Sequence, residues 1–171
     1  MNTLSDSPDS TDSTEALDAL TALNPTDVRL AAMNLLARRE HSRRELRQKL
    51  LKRFSDAAVV EAQIDQLTLE NLQSDERFAQ SYVRMRAMRG YGPARIRQEL
   101  RERGLRDDEI AEAFRSMEES WFDLALSAFV KKFGEQLESD IKARSRRDRF
   151  MQYRGFTREH IDHCEESLSD A

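Results

Sequence analysis

The sequence predicts an all-α protein of three tandem three-helix repeats behind a disordered acidic N-terminal tail. Three observations predict it. Turn formers are scarce: 171 residues hold 5 Gly and 3 Pro. That is too few for a sandwich or barrel turning every ~8–12 residues, while Ala, Leu, Arg, Glu and Gln abound, as helices prefer. Next, the chain matches itself when displaced by 50 positions. Ala37, Arg39, Arg47, Gln48, Leu50 and Arg53 fall on Ala87, Arg89, Arg97, Gln98, Leu100 and Arg103, and a further shift of 51 lays Arg103-Gly104-Leu105 on Arg154-Gly155-Phe156. Such a period belongs to helical repeat arrays, whose small units stack on their neighbours. Last, charge alternates in blocks. Residues 29–53 carry nine bases and two acids, 54–76 six acids and no base, 77–106 nine bases and two acids, 107–140 ten acids and three bases, and 142–158 seven bases and one acid.

The elements follow in order. Residues 1–24 hold five acids and no base. They are too polar to offset their ordering entropy and are expected as a disordered tail. The first repeat, 25–73, opens with Val28, Ala31, Ala32, Leu35 and Leu36 at helical spacing. Ser42-x-x-Glu45 predicts a capping box, in which Glu45 reaches back to the cap, with Leu46, Leu50 and Leu51 on the inner stripe. Ser55 is expected to open a third helix carrying Val59, Val60, Ile64 and Leu67. The second repeat, 74–119, places Phe78, Tyr82 and Met85 at i, i+4 and i+7. In Gly90-Tyr91-Gly92-Pro93, Gly90 suits a left-handed helix end, Gly92 an N-cap and Pro93 the first helical position. Ile96 and Leu100 line the next helix, Gly104 ends it, and Asp107, Asp108 and Glu109 put negative charge on the start of the one after. In the third repeat, 120–171, Trp121, Phe122, Ala125, Leu126, Phe129 and Phe133 form an apolar stripe that Gly134 ends. Residues 135–145 are ambiguous. Phe150, Met151 and Tyr153 anchor a further helix broken by Gly155, and Thr157 caps a last one with Ile161, Cys164 and Leu168.

The same residues exclude several functions. No stretch approaches the ~20 apolar residues of a membrane span. No basic-then-apolar leader marks secretion, so a cytoplasmic protein is expected. Cys164 stands alone, which fits a reducing compartment and cannot supply a cysteine zinc site. His160 and His163 lie beside it, but Cys164 reads as inward-facing and no second cluster completes a ligand set, so no metal or cofactor is expected. His41 reads as a surface residue. No phosphate-binding glycine loop occurs, and no two carboxylates share an apolar setting suited to acid–base catalysis. An enzyme is therefore not expected.

The basic blocks carry the functional signal. Arg84, Arg86, Arg89, Arg95, Arg97, Arg101 and Arg103 crowd two consecutive helices around Tyr91. Arginine outnumbers lysine 23 to 5. Its planar guanidinium grips carboxylate and phosphate in pairs of bonds and stacks on rings. Some of these arginines are expected to pair with the acidic block of their own repeat, but so dense a block still makes a local field.

The string Arg89-Gly90-Tyr91-Gly92-Pro93-Ala94-Arg95-Ile96-Arg97-Gln98-Glu99-Leu100 resembles the signature of the bacterial RecX regulatory proteins. Leu36-Ala37-Arg38-Arg39-Glu40-His41-Ser42-Arg43-Arg44-Glu45-Leu46-Arg47-Gln48-Lys49-Leu50 is similar to that family's first-repeat motif. Ser74-Asp75-Glu76-Arg77-Phe78-Ala79 is similar to its second-repeat opening, and Phe150-Met151-Gln152-Tyr153-Arg154-Gly155-Phe156 to its third-repeat element. The first repeat departs from the pattern, because Arg53-Phe54 lacks the glycine found at Gly104 and Gly155. The resemblance implies an elongated, curved array and a non-enzymatic modulator of the RecA recombinase. It implies a monomer lying in the groove of the RecA–DNA filament, limiting filament extension, ATPase and strand exchange in recombination, DNA repair and the SOS response. Weak direct DNA contact and no membrane contact are expected. On this reading Arg84, Arg86, Arg89, Tyr91, Arg95, Arg97 and Arg101 are the candidate partner contacts, with Gly90, Gly92 and Pro93 shaping the turn that aims them. A general DNA-binding helical protein that competes with RecA for DNA, and a helical scaffold for another partner, are the alternatives the residues leave open.

Overall fold

A computed structural model describes residues 24–136 and 140–169. Apart from Asn24, the predicted acidic tail lies outside them. The described chain is all helical: α1 (Pro25–Leu36), α2 (Arg43–Leu51), α3 (Ala57–Leu69), α4 (Asp75–Met88), α5 (Pro93–Glu102), α6 (Asp107–Arg115), α7 (Trp121–Phe133), α8 (Ile141–Arg154) and α9 (Arg158–Ser169). Three separate cores sit inside successive groups of three helices. Val28, Ala32, Leu46, Leu50, Phe54, Val60, Ile64 and Leu67 form the first. Phe78, Ala79, Val83, Ala87, Ile96, Leu100, Leu105, Ile110 and Ala113 form the second, and Ala125, Phe129, Met151, Phe156, Ile161 and Cys164 the third. Trp121 and Leu124 belong to α7 yet pack on the second core, with Trp121 stacked on Phe114 at 5.4 Å. Apolar contact therefore crosses from the second repeat to the third.

Helix starts follow their caps. Asn24 accepts the Thr26 N–H at 3.0 Å, and Ser74 accepts that of Arg77 at 3.2 Å. The third helix starts one residue later than Ser55 suggests, because the Asp56 carboxylate accepts two N–H groups, from Ala58 and Val59, where a hydroxyl would accept one. Ser42 caps α2 through the Glu45 N–H, but Glu45 does not reach back. Its carboxylate is bound by Arg39 at 2.9 Å and Arg103 at 3.1 Å, and the charged partners win over a neutral N–H. A reach back to the cap does occur at α6, where Glu109 accepts the Arg106 N–H at 2.8 Å, and at α9, where His160 Nδ1 accepts the Thr157 N–H at 3.1 Å.

One junction recurs between repeats. At the first, the Ser42 hydroxyl, at the start of α2, donates to the carbonyl of Arg103, at the end of α5 (2.9 Å). At the second, the Gly92 N–H, at the start of α5, donates to the Arg154 carbonyl at the end of α8 (2.8 Å), and the Ala94 N–H donates to Gly155 (3.1 Å). The middle helices thus meet end to end, each N-terminus on the C-terminus of the next repeat's middle helix. Unpaired helix-end donors meet unpaired helix-end acceptors, and the positive end of one dipole faces the negative end of the next. The approach at the second junction admits no side chain. A Cβ at Gly92 would collide with the Gly155 backbone, and one at Gly155 would lie 2.5 Å from the Arg95 backbone N.

Three readings of side-chain placement need correction. His41 is buried, 3 % exposed, because the segment entering α4 covers it. Gln73 donates to the His41 carbonyl (3.3 Å) and to Asp75 (2.8 Å), and Asp75 accepts the Arg43 N–H (2.7 Å). Burial holds the His41 imidazole below its ordinary range. Tyr153 is 72 % exposed and lies outside the third core, since the core face of α8 runs through Ala143, Arg147 and Met151. Met85 is also largely outward, the α4 core face being Phe78, Ala79, Val83 and Ala87. The ambiguous 135–145 stretch splits at Asp140, after which α8 begins with an exposed Ile141.

Gly134 and Gly155 both have positive φ, 81° and 90°, but only Gly155 has neighbours within 4 Å of an added Cβ. Gly134→Ala is expected to lower stability by ~1 kcal/mol, the backbone effect alone, and Gly155→Ala by ~2–4 kcal/mol, because the junction must also open. Urea unfolding followed by Trp121 fluorescence reads this junction directly. Equal losses in the two variants would remove the junction from the account.

Candidate partner-binding surface

Tyr91 is the hub of the predicted arginine cluster. The guanidinium carbons of Arg86, Arg154 and Arg95 lie 3.5, 4.6 and 4.8 Å from its ring centroid. Stacking on the negative face of a ring holds a cation without neutralising it. Glu99 ties the cluster together from one turn along α5. It accepts Arg86 Nε at 2.7 Å, a second, shorter bond from Arg86 Nη2, Arg95 Nε at 3.1 Å and the Tyr82 hydroxyl at 2.9 Å. The Arg86 and Glu99 side chains are only 14 % and 15 % exposed. Burial works against ionisation of Glu99, but the bonds from Arg86, Tyr82 and Arg95 outweigh it and hold the carboxyl below its usual range. Burial, then the bond to Glu99, pushes the Tyr82 phenol up to about 12.

The predicted residues therefore separate into two groups. Arg86, Tyr91 and Arg95 are brought together, and Arg86 and Arg95 are committed to Glu99. Arg95 also donates to the Tyr153 carbonyl at 3.1 Å and so helps lock the third repeat. Gly90 and Gly92 shape the turn beside it, Gly90 at the helix end with φ 76° and Gly92 at the junction. Arg97 and Arg101 are not part of the hub. Two residues beyond Arg95 and Glu99, they point about 200° round the helix; Arg97 lies 4.3 Å from the Phe114 ring and Arg101 pairs with Asp107 at 2.7 Å. Arg84 and Arg89 are exposed, and among the described residues neither side chain has a hydrogen bond or ion pair. They flank Met85 and Met88, 37 % and 65 % exposed, so α4 presents a mixed cationic and apolar face.

Two residues of the cluster escape a reading of the local motif. Glu99 looks like one more surface acid. Arg154 lies 63 positions from Tyr91, yet its Nη1 donates to the Arg89 carbonyl at 3.2 Å. The shift that lays Arg103 on Arg154 held the clue, since Arg103 likewise reaches back into the preceding repeat, where it pairs with Glu45 at 3.1 Å. Among the described residues, no group of three or more His, Cys, Asp or Glu could hold a metal ion. Cys164 is buried, which pushes its thiol up to about 11. No described helix is long and apolar enough to cross a membrane.

Family models for the first, second and third three-helix domains of RecX match residues 29–67, 74–113 and 118–164. The regulatory protein RecX of Pseudomonas fluorescens strain SBW25 is 45 % identical over 134 residues, covering 78 % of this chain and 86 % of its own length. That of Ectopseudomonas mendocina strain ymp is 42 % identical over 134 residues, with coverages of 78 % and 89 %. The crystal structure of RecX from Lactobacillus salivarius shares the fold, with a TM-score of 0.71 at 20 % identity over 86 % of this chain and 97 % of that one.

Glu99→Gln leaves the nearly buried Arg86, and the partly exposed Arg95 beside it, without their counter-charge and is expected to lower stability by ~2–3 kcal/mol at neutral pH. Because the folded carboxyl titrates below its ordinary 4.5, its contribution is present above that value and is lost as pH falls through the folded one. The gap between native and variant protein in urea unfolding should therefore narrow on acidification. A constant gap would mean that Glu99 does not act through its charge.

Proposed function

The chain belongs to the RecX family of regulatory proteins, and on that premise we propose that it modulates the RecA recombinase as a non-enzymatic, cytoplasmic, monomeric partner of the RecA–DNA filament. It lies in the filament groove, spans several RecA protomers and limits filament extension, ATPase and strand exchange. The observation that supports the contact face is the outward side of α4, where Arg84 and Arg89 lack internal partners beside exposed Met85 and Met88. Arg86, Tyr91 and Arg95 position this face rather than touch the partner. The junctions support the spanning role, because they hold three units in a repeated register. Three modest contacts on one rigid line then add through effective concentration.

The test is RecA's DNA-dependent ATPase with increasing amounts of this protein. Arg84→Ala/Arg89→Ala should keep the helical circular dichroism of the native chain and need ~10-fold more protein for half-inhibition. Arg97→Ala/Arg101→Ala should inhibit as the native chain does. Full inhibition by the folded Arg84/Arg89 variant would overturn the assignment of this face. Inhibition that tracks occupancy of naked DNA and weakens steeply with salt would replace it with competition for DNA.

A further inference from the structure

The outward side of α2 carries Arg44, Gln48, Lys49 and Lys52, with Arg53 following in the turn, all exposed. Arg44, Gln48 and Lys52 recur every four residues, and Lys49 and Arg53 lie beside them at the same spacing, so the five share one surface. Among the described residues, none of the four cationic side chains has a hydrogen bond or an ion pair. The acids within reach are taken. Glu61 and Asp65 are held by Arg43 and Arg47 on the α3 side of α2, and Glu45 by Arg39 and Arg103. The Arg44 stem lies against the turn after α5, where a Cβ on Gly104 would sit 2.9 Å from Arg44 Cδ, so this side chain is partly ordered before any partner arrives. The helix dipole favours Lys49 and Lys52 near the end of α2 but disfavours Arg44 in its first turn, so helix stability does not account for the set. Nor does the repeat architecture. Displacement by 50 lays Arg44, Lys49 and Lys52 on Ala94, Glu99 and Glu102, and a further 51 lays them on Ser145, Phe150 and Tyr153. The cationic face belongs to the first repeat alone.

We propose that this face of α2 binds the phosphate backbone of a nucleic acid, without sequence preference, through Arg44, Lys49, Lys52 and Arg53. The class of partner follows from what the face lacks. Protein contacts draw most of their energy from a few large buried anchors. The α4 face offers Met85 and Met88 beside its arginines, whereas no exposed large apolar residue lies on α2 or in the turn after it. A phosphate backbone asks only for regularly placed cations. From Arg44 to Lys52 the helix rises about 12 Å, which matches about three nucleotides of a B-form strand at ~3.4 Å each. The first repeat then holds nucleic acid while α4 of the second meets protein. That division rests on the proposed function, whereas the phosphate contact itself does not.

The experiment uses the full chain without RecA. Fluorescence anisotropy of labelled oligo-dT, and of a labelled mixed-sequence duplex, is followed as protein is added between ~50 and ~200 mM NaCl. The native chain should bind at the low end and lose affinity steadily with salt. Arg44→Ala/Lys49→Ala/Lys52→Ala should weaken binding ~10-fold or more at ~50 mM and flatten the slope of log affinity against log salt by about 2 to 3, since each phosphate contact contributes ~0.7 on a single strand and ~0.9 on a duplex. Lys49→Glu/Lys52→Glu, which installs the acids of the second repeat and leaves the Arg44 stem in place, should weaken it at least as much. Both variants should keep the circular dichroism of the native chain, and Arg84→Ala/Arg89→Ala should bind as the native chain does. Equal affinity of native and α2 variants, an equal loss in the Arg84/Arg89 variant, or no binding of either probe at ~50 mM would overturn the proposal. Variants of α2 that keep their hold on nucleic acid yet inhibit RecA poorly would assign the face to an acidic protein surface, which also overturns it. Failure here leaves the α4 assignment standing, because no RecA enters the binding measurement.

Discussion

The end-to-end meeting of the middle helices is the constraint on which the rest of the structure depends. A three-helix unit of about 45 residues is close to the lower limit for a self-sufficient core. Each repeat here has its own core, and Trp121 and Leu124 of the third also pack on the second. What sets the units end to end is polar: Ser42 to Arg103, Gly92 to Arg154 and Ala94 to Gly155. These bonds use groups that helix ends otherwise leave to water. Each joins one N-terminus to one C-terminus, so the register between repeats follows from helix ends, through backbone groups at the second junction and the Ser42 hydroxyl at the first. The missing glycine in the first repeat then has a reason. Lys52, Arg53 and Phe54 end α2 where Gly104 and Gly155 end α5 and α8, but among the described residues no other middle helix abuts them. Without that approach, side chains are tolerated throughout this turn.

The arginine-rich segment is organised by the same junction. Arg95 and Arg154 cross between the second and third repeats, one to the Tyr153 carbonyl, the other to the Arg89 carbonyl, with Tyr91 between them. Glu99 balances Arg86 and Arg95 from below. A motif read as a binding patch is therefore in good part a clamp. The clamp fixes the end of α4, and with it the direction in which Arg84 and Arg89 project.

Much of this was legible in the sequence, and the residues show why. Helix periodicity, the cap at Ser42 and glycine helix ends are local, so the all-helical fold and its repeats could be read directly. The displacement by 50 and then 51 aligned Ser42 with Gly92 and Gly104 with Gly155, the two pairs that build the junctions, without showing that they touch. What escaped the sequence is what depends on a neighbouring repeat. His41 looks exposed until the segment before α4 covers it, Glu45 looks like a capping residue until Arg103 arrives from the next unit, and Arg154 is remote from Tyr91 in sequence. Nothing local distinguishes Arg86 from Arg84, and only packing on Glu99 makes one structural and leaves the other free.

The charge blocks illustrate the same point at the scale of the whole chain. Read alone, each basic block suggests a surface field. In the structure, much of that field closes on itself. Arg43 binds Glu61 and Asp65, Arg47 binds Glu61, Arg144 binds Glu165, and Arg158 binds Asp148 and Asp162. Exposed pairs of this kind add little stability, but they remove charge from the outward field. Among the described residues, cations without an ion pair remain in each repeat, including Arg38, Arg44, Lys49, Lys52 and Arg53 around α2 and Arg84 and Arg89 in and just after α4, all exposed. Blockiness in the sequence thus marks where repeats neutralise part of their own charge, and the outward field is set by the cations that the acidic blocks do not reach.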